Sequence, residues 1–231
     1  MNTEKVELKK PDSPEPACFA VMPKRLHWMQ VLRGNRHLPG WFWTLYYMLA
    51  TPVLRINLWR LRFRDWSACS RVNLGSGPDY RSDWWNVEGF LIWKSDACVD
   101  IRQGLPFPDG SMNFIYCNNV LEHFTPVEII KILQHCRKAL APHGIMRIIV
   151  PDSSCKLDVF KYNEYMLCNG NHKSLLNSSM LIELARMAGW NCFNERQVNP
   201  NFDQPGDIYD VCVIIELSHE EKEPSETSSC G

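Results

Sequence analysis

A short strand-like segment, Arg71-Val-Asn-Leu74, runs directly into Gly75-Ser76-Gly77, and a second extended segment, Trp84–Glu88 (WWNVE), begins after only Pro78–Asp83. A strand that empties into a glycine turn marks an α/β sheet whose ligand lies at the carboxyl ends of the early strands. Glycines there tolerate positive φ and let the backbone approach a ligand closely. The intervening stretch is too short for a crossover helix, so a pyrophosphate would lack the helix N-terminus that normally receives it. The dinucleotide fingerprint also wants a third glycine at position 80, where Tyr80 stands. The turn therefore predicts a nucleoside ligand without phosphates in preference to NAD.

The chain beyond this turn keeps alternating. Cys98–Ile101 reads as a third strand, the turn residues PFPDG (106–110) follow, and Asn113–Cys117 reads as a fourth. Thr125-Pro126-Val127-Glu128 has the form of a capping box with proline at the first helical position. Ile129, Ile130, Leu133, Cys136 and Leu140 then recur at three- and four-residue steps, which predicts a helix ending at Ala141-Pro142-His143-Gly144. Ile145–Val150 reads as a buried fifth strand, a helix runs from about Ser179 to Ala188, and Asn191–Gln197 and Tyr209–Leu217 are the last strands. The pattern predicts an α/β sandwich with a mostly parallel sheet.

Charge divides the molecule more sharply than its total of −1 implies. Residues 21–71 carry net +8 and residues 72–231 carry net −8. The near-neutral total argues against a nucleic-acid partner. The basic segment is also aromatic (Trp28, Trp41, Phe42, Trp43, Tyr46, Tyr47, Trp59, Phe63, Trp66), and its most apolar stretch, Trp41–Leu54, is too short to span a bilayer. Two readings of it stay open: a helical lid packed on the body, or a surface that rests on anionic lipid at the headgroup boundary. The expected organisation is a flexible tail over 1–20, the basic helical segment over 21–70, a catalytic domain over 71–217 and a disordered tail over 218–231. Ten cysteines lack any CxxC pair or zinc-type Cys/His spacing, and the polar N-terminus carries no apolar leader. Reduced thiols in a cytoplasmic protein are expected, with the inner membrane face as an alternative address and no metal site.

Glu88 and Asp100 stand at the ends of the second and third expected strands. A carboxylate at the first position can accept both ribose hydroxyls, and one at the second lies near an adenine edge. Taken with RVNLGSGP (71–78), WWNVE (84–88) and DACVDIRQGLPFPDGSMNFIYCNNVLEHF (96–124), the chain resembles the class I S-adenosylmethionine-dependent methyltransferases. More narrowly, it is similar to small methyltransferases met with surface-glycan biosynthesis. The resemblance covers about residues 70–217 and leaves the first 70 unmatched. It implies a Rossmann-like sandwich with an antiparallel C-terminal strand and S-adenosylmethionine as cofactor.

The resemblance further implies roles for individual residues. Gly75, Ser76 and Gly77 line the methionine and ribose portion, Glu88 holds the ribose diol, and Asp100 with the backbone of Ile101 meets the adenine. Asn118 faces the methionine end. Relatives often have Asp where Asn73 stands, a third Gly where Asp79 stands and Asp in place of Glu88; Asn73 can still hydrogen-bond the cofactor without charge. Methyl transfer from a sulfonium needs mainly in-line geometry, and a hydroxyl acceptor gains from a base, for which His123 and His172 are the candidates. Asp152, after Val150-Pro151, reads equally as a residue that orients an acceptor and as a turn residue. Family association points to O-methylation of a sugar on a glycan or lipid-linked precursor, with a small-molecule acceptor as the alternative within the enzyme class. A methyltransferase-like interaction module without turnover is the alternative outside it.

Overall fold

Seven short strands carry the architecture, because alternate side chains along them are apolar on the face that meets the helices. The structure, a computed structural model, describes residues 40–91, 93–156, 167, 172–197 and 212–219. Helix α1 (Gly40–Leu61) precedes strands β1 (Arg71–Leu74), β2 (Trp85–Glu88), β3 (Ala97–Cys98) and β4 (Met112–Asn118). Helix α2 (Pro126–Ala139), strand β5 (Leu140–Pro151), helix α3 (Ser178–Met187) and strands β6 (Cys192–Glu195) and β7 (Cys212–Ser218) complete it. The sheet order is β3-β2-β1-β4-β5-β7-β6. Strands β1 to β5 pair in parallel, while β7 is antiparallel to both β5 and β6. This is the Rossmann-like, mostly parallel sheet with one antiparallel C-terminal strand, β7, that the resemblance implies.

One face of the sheet (Val72, Leu74, Ile115, Cys117, Met146, Ile148, Val150) joins the apolar sides of α2 and α3 in the main core. The buried residues of α2 are Ile129, Ile132, Leu133, Cys136 and Ala139. Glu128 Oε2 accepts from the Thr125 backbone N–H at 2.9 Å, as the expected capping box requires. Helix α3 ends at Gly189, whose φ of +91° lets Trp190 turn back and donate from its backbone to Ala185. The opposite face carries a smaller apolar cluster of Trp84, Tyr116, Ile149 and Ile214.

Three of the boundaries that differ from the sequence reading have a visible cause or consequence. The third strand does not run from Cys98 to Ile101: it stops at Cys98, because Asp100 caps a 3-10 turn over Ile101–Gln103 and diverts the chain. Helix α2 stops at Ala139 and not in Ala141–Gly144, since Leu140 already pairs with Met112 at the start of β5. The register shift between Met112 and Phe114 then lets Ile145 pair with Phe114. The polar tail expected from Ser218 begins inside β7, and His219 stacks on Trp190 with centroids 5.7 Å apart. The expected tail over 1–20, residues 21–39 of the basic segment and the tail beyond His219 lie outside the described residues.

Between β1 and β2 the chain crosses in parallel without a helix, as the short spacing requires. A buried amide does the bridging. Asn86 donates to the Arg81 and Trp84 carbonyls and to Asp96 Oδ2, and accepts from the Arg81 backbone N–H and the Asn73 amide. The loop's backbone is thus tied to β2 by side-chain bonds.

Helix α1 packs beside β3. Ala50, Leu54 and Leu58 recur every four residues and are buried, while Leu45, Met48, Leu49, Val53, Ile56 and Trp59 are exposed. Tyr46 Oη donates to the Gly89 carbonyl at 3.0 Å, and Arg55 Nε donates to Gln103 Oε1 at 2.6 Å. Pro52 lies inside the helix on its exposed side, where the carbonyl it leaves unbonded reaches water. Among the described residues, no helix is long and apolar enough to cross a membrane.

Candidate cofactor and acceptor site

The strand order reverses between β1 and β4, and open sheets of this kind bind ligands at the carboxyl ends of the strands there. At that point lies a cavity of about 50 Å³ lined by Gly75, Glu88, Gly89, Val99, Asp100, Ile101, Val120 and Phe124. A larger open depression of about 660 Å³ sits at the amino ends of β1 and β2, among Ser67–Arg71 and Ser82–Trp85. Asp83 and Asp96 also line it, but it lies away from the glycine turn and the carboxyl ends of the strands, so volume and chemistry point to different places, and chemistry decides.

Gly75 has φ +68°, and a Cβ built on it would collide with the Val120 side chain. Its N–H and that of Ser76 donate to the Val87 carbonyl at 2.8 and 3.1 Å, which fixes the turn against β2. Glu88 Oε2 accepts from the Gly77 backbone N–H at 2.7 Å, and Oε1 accepts from Gly89 and Phe90 at 2.8 and 3.1 Å. Burial raises the Glu88 pKa, and these three backbone donors oppose the rise. Ser76 Oγ and Asn118 Oδ1 are buried with no hydrogen-bond partner among the described residues. Two orphan polar atoms, a backbone cradle at Gly75 and a strand-end carboxylate fit a nucleoside carrying an amino-acid tail.

Asp100 is nearly fully buried and is held by Arg102, whose Nε and Nη2 each donate at 2.8 Å. Arg102 also bonds Glu128 at 3.0 Å, so the carboxylate both lines the cavity and braces α2. Ile101 lines the same cavity. Asn73 does not line it: its amide donates to the Asp79 carbonyl and to Asn86, which places it in the crossover network. Of the expected cofactor residues, Gly75, Glu88, Asp100 and Ile101 converge on the cavity. Ser76, Gly77 and Asn118 stand beside it at the turn and the β4 end.

His123 follows β4 in a 3-10 turn, Leu121–His123, flanked by the cavity residues Val120 and Phe124. His172 comes from the other side of the chain, and the two rings meet edge to face with centroids 4.8 Å apart. The sequence reading assigned no role to Glu122, yet it is buried beneath them, with His172 Nε2 3.9 Å from Oε1. Burial pushes its carboxyl up to about 8. Asp152 Oδ1 accepts from Ser154 N and Oγ in the turn after β5.

A family model described as a methyltransferase domain matches residues 52–195, more than half of the chain. Among solved structures, a SAM-dependent methyltransferase from Archaeoglobus fulgidus is 14% identical with a TM-score of 0.48, covering 74% of this chain and 99% of its own. The PH0226 protein from Pyrococcus horikoshii is 14% identical at TM-score 0.47, covering 80% and 98%. An O-methyltransferase from neocarzinostatin biosynthesis, in complex with S-adenosyl-L-homocysteine and 1,4-dihydroxy-2-naphthoic acid, is 16% identical at TM-score 0.44, covering 83% and 61%. A search of curated proteins gives no match. The glycine turn, the strand-end carboxylate and the matched family model together make this chain a member of the methyltransferase-domain family, an enzyme that uses S-adenosylmethionine.

Proposed function

We propose that the enzyme methylates a hydroxyl oxygen of a sugar, carried on a glycan or lipid-linked precursor, in a cytoplasmic setting. The observation that carries the reading is the placement of the His123–His172 pair beside a cavity that ends in Glu88 and the Gly75–Gly77 turn. When bound, S-adenosylmethionine supplies an electrophilic methyl group on a positively charged sulfur. Glu88 accepts the two ribose hydroxyls, Asp100 and Ile101 border the adenine, and Ser76, Gly77 and Asn118 hold the methionine portion. Asn73 acts on the cofactor only through the turn. The histidine pair promotes loss of the acceptor's hydroxyl proton as the new C–O bond forms, and the closed apolar wall of Val99, Val120 and Phe124 keeps water from competing.

The sugar assignment rests on the sequence resemblance and on α1, whose exposed apolar side chains lie among Arg55 and Arg60, with Arg62 and Arg64 in the turn just after it. Such a face suits a lipid surface on which a lipid-linked acceptor would be held. It also sets the two readings of the basic segment side by side, since one face of α1 is packed and the other is free to meet lipid.

Calorimetric titration with S-adenosylmethionine and separately with NAD, followed by detection of S-adenosylhomocysteine over a panel of acceptors, tests the proposal. Binding of the first alone, with turnover on a sugar hydroxyl, is the expected result. Turnover only on amines or small aromatic hydroxyls would overturn the acceptor assignment. His172→Ala is expected to lower kcat by about 10²-fold or more while leaving cofactor affinity intact.

A further inference from the structure

The chain builds a second buried feature beside the cofactor cavity that methyl binding does not use. The Glu122 backbone carbonyl accepts from Lys173 at 2.8 Å and from Ser174 at 3.1 Å, and Ser174 Oγ donates to the Phe124 carbonyl at 2.7 Å. These bonds clamp the turn after β4 to a segment about 50 residues later in the chain. The clamp gathers Glu122, His123 and His172 so that one ligand atom from each lies within 4.8 Å of the others. Glu122 is 1% exposed, and neither of its carboxylate oxygens has a hydrogen-bond partner among the described residues. At 3.9 Å, His172 Nε2 is beyond hydrogen-bond reach of it.

A buried carboxyl left without hydrogen bonds is costly to ionise, so it either keeps its proton or is paired with a cation. Two imidazoles and one carboxylate are a donor set for a divalent transition metal, because imidazole suits zinc, iron, copper and nickel, while the carboxylate adds charge. Ligand bonds of about 2.0–2.2 Å place neighbouring donors roughly 3–3.5 Å apart, so the triangle closes modestly on binding. With three protein ligands, a position is left for a substrate oxygen.

We propose that Glu122, His123 and His172 bind one divalent transition-metal ion at the acceptor end of the cavity. The inference rests on the methyltransferase reading for its purpose. There the ion acts as a Lewis acid on the acceptor hydroxyl, lowering its pKa so that the proton leaves to solvent as the oxygen takes the methyl group. The histidine pair then promotes ionisation through the cation it holds.

Full-length protein, stripped with a chelator and dialysed, is titrated with Co²⁺ while visible absorption is recorded, and with Mn²⁺ by calorimetry. One ion per chain is expected, with ligand-field bands that lack thiolate charge transfer, since the described cysteines (Cys69, Cys98, Cys117, Cys136, Cys155, Cys192, Cys212) are not in the set. Glu122→Gln and His172→Asn should each weaken binding on the order of 10–100-fold or more. Thermal melting of the metal-free variants verifies folding, and His123→Asn replaces either one that fails to fold. Absence of binding, or bands that carry thiolate character and survive these substitutions, overturns the site. S-adenosylmethionine affinity of the metal-free wild type is measured in parallel. Its retention alongside absent metal binding removes the cation and leaves the methyltransferase reading standing, whereas metal binding without cofactor binding does the reverse.

Discussion

Two residues in the cavity are tied to different forces. At Gly75 the constraint is steric: a left-handed φ of +68° and a Val120 side chain occupying the space of any Cβ. Gly75→Ala should cost roughly 1–2 kcal/mol for the conformation and about 1–3 more for overpacking. Urea denaturation checks this, and a second change, Val120→Ala, should recover the packing part and not the conformational part. At Glu88 the constraint is electrostatic. Three backbone donors already hold the carboxylate, so a bound ribose would be read by its remaining lone pairs. Glu88→Gln should weaken S-adenosylmethionine binding by about 1.5–3 kcal/mol in calorimetry, the scale of hydrogen bonds to a charged group. The direction of its pKa adds a pH signature. Because burial raises the folded-state value above that of the unfolded chain, this group lowers stability as pH rises from the unfolded pKa through the folded one. Cofactor affinity runs the opposite way, since the ionised form is the acceptor. It should therefore fall on acidification at a higher pH than an ordinary glutamate would give, and it should lose that dependence in Glu88→Gln.

Asn86 replaces a whole element, standing where a parallel crossover would ordinarily have a helix. Fully buried, it bonds the Arg81 and Trp84 backbone, Asp96 and Asn73. Asn86→Ala strands several buried donors and acceptors at once, and should cost about 3 kcal/mol or more by denaturant titration, with little change in the m-value. The sequence made the crossover's shortness plain but not its cause, because Asn86 reads only as one letter of a strand. What was legible depended on local signals. The glycine turn, the capping box at Thr125–Glu128 and the period of Ile129, Leu133 and Cys136 all declare themselves within a few residues. Competition between elements was not legible: Asp100 ends β3 by capping the following turn, and Leu140 leaves α2 because it pairs with Met112. The cavity residues Gly75 and Glu88 were readable because each sits at a strand end, whereas Asp100 lies two residues past β3 at the cap of the next turn. Glu122 escaped because its meaning comes from His172, which the Lys173 and Ser174 backbone bonds deliver from a distant segment.

At the scale of the molecule, α1 poses a problem of surface area. Its inner stripe of Ala50, Leu54 and Leu58 is buried against the body, yet Trp59 and Phe63 remain 62% and 76% exposed, beside Met48, Leu49 and Ile56. A contiguous apolar face of this kind is uncommon on an isolated surface and marks a contact with something apolar. Charge narrows the choice. The segment that bears it carries net +8 on a body of net −8, and Tyr46 of α1 is bonded to Gly89 at the cavity wall, so an anionic surface that met this face would orient the cavity with it. Trp59 and Phe63 pack on each other, centroids 5.4 Å apart, and not into the core. Replacing both with serine should therefore leave the melting temperature within about 1–2 °C of wild type, as surface changes of under ~0.5 kcal/mol do. The same pair should lose roughly 3 kcal/mol of affinity for vesicles containing anionic lipid, the burial of two aromatic side chains, or about 100-fold in partitioning. Sedimentation with such vesicles at low and high salt checks it: wild type should bind and release with salt. Equal partitioning of the variant, or equal binding of wild type to neutral vesicles, would remove the lipid surface as the partner of this face.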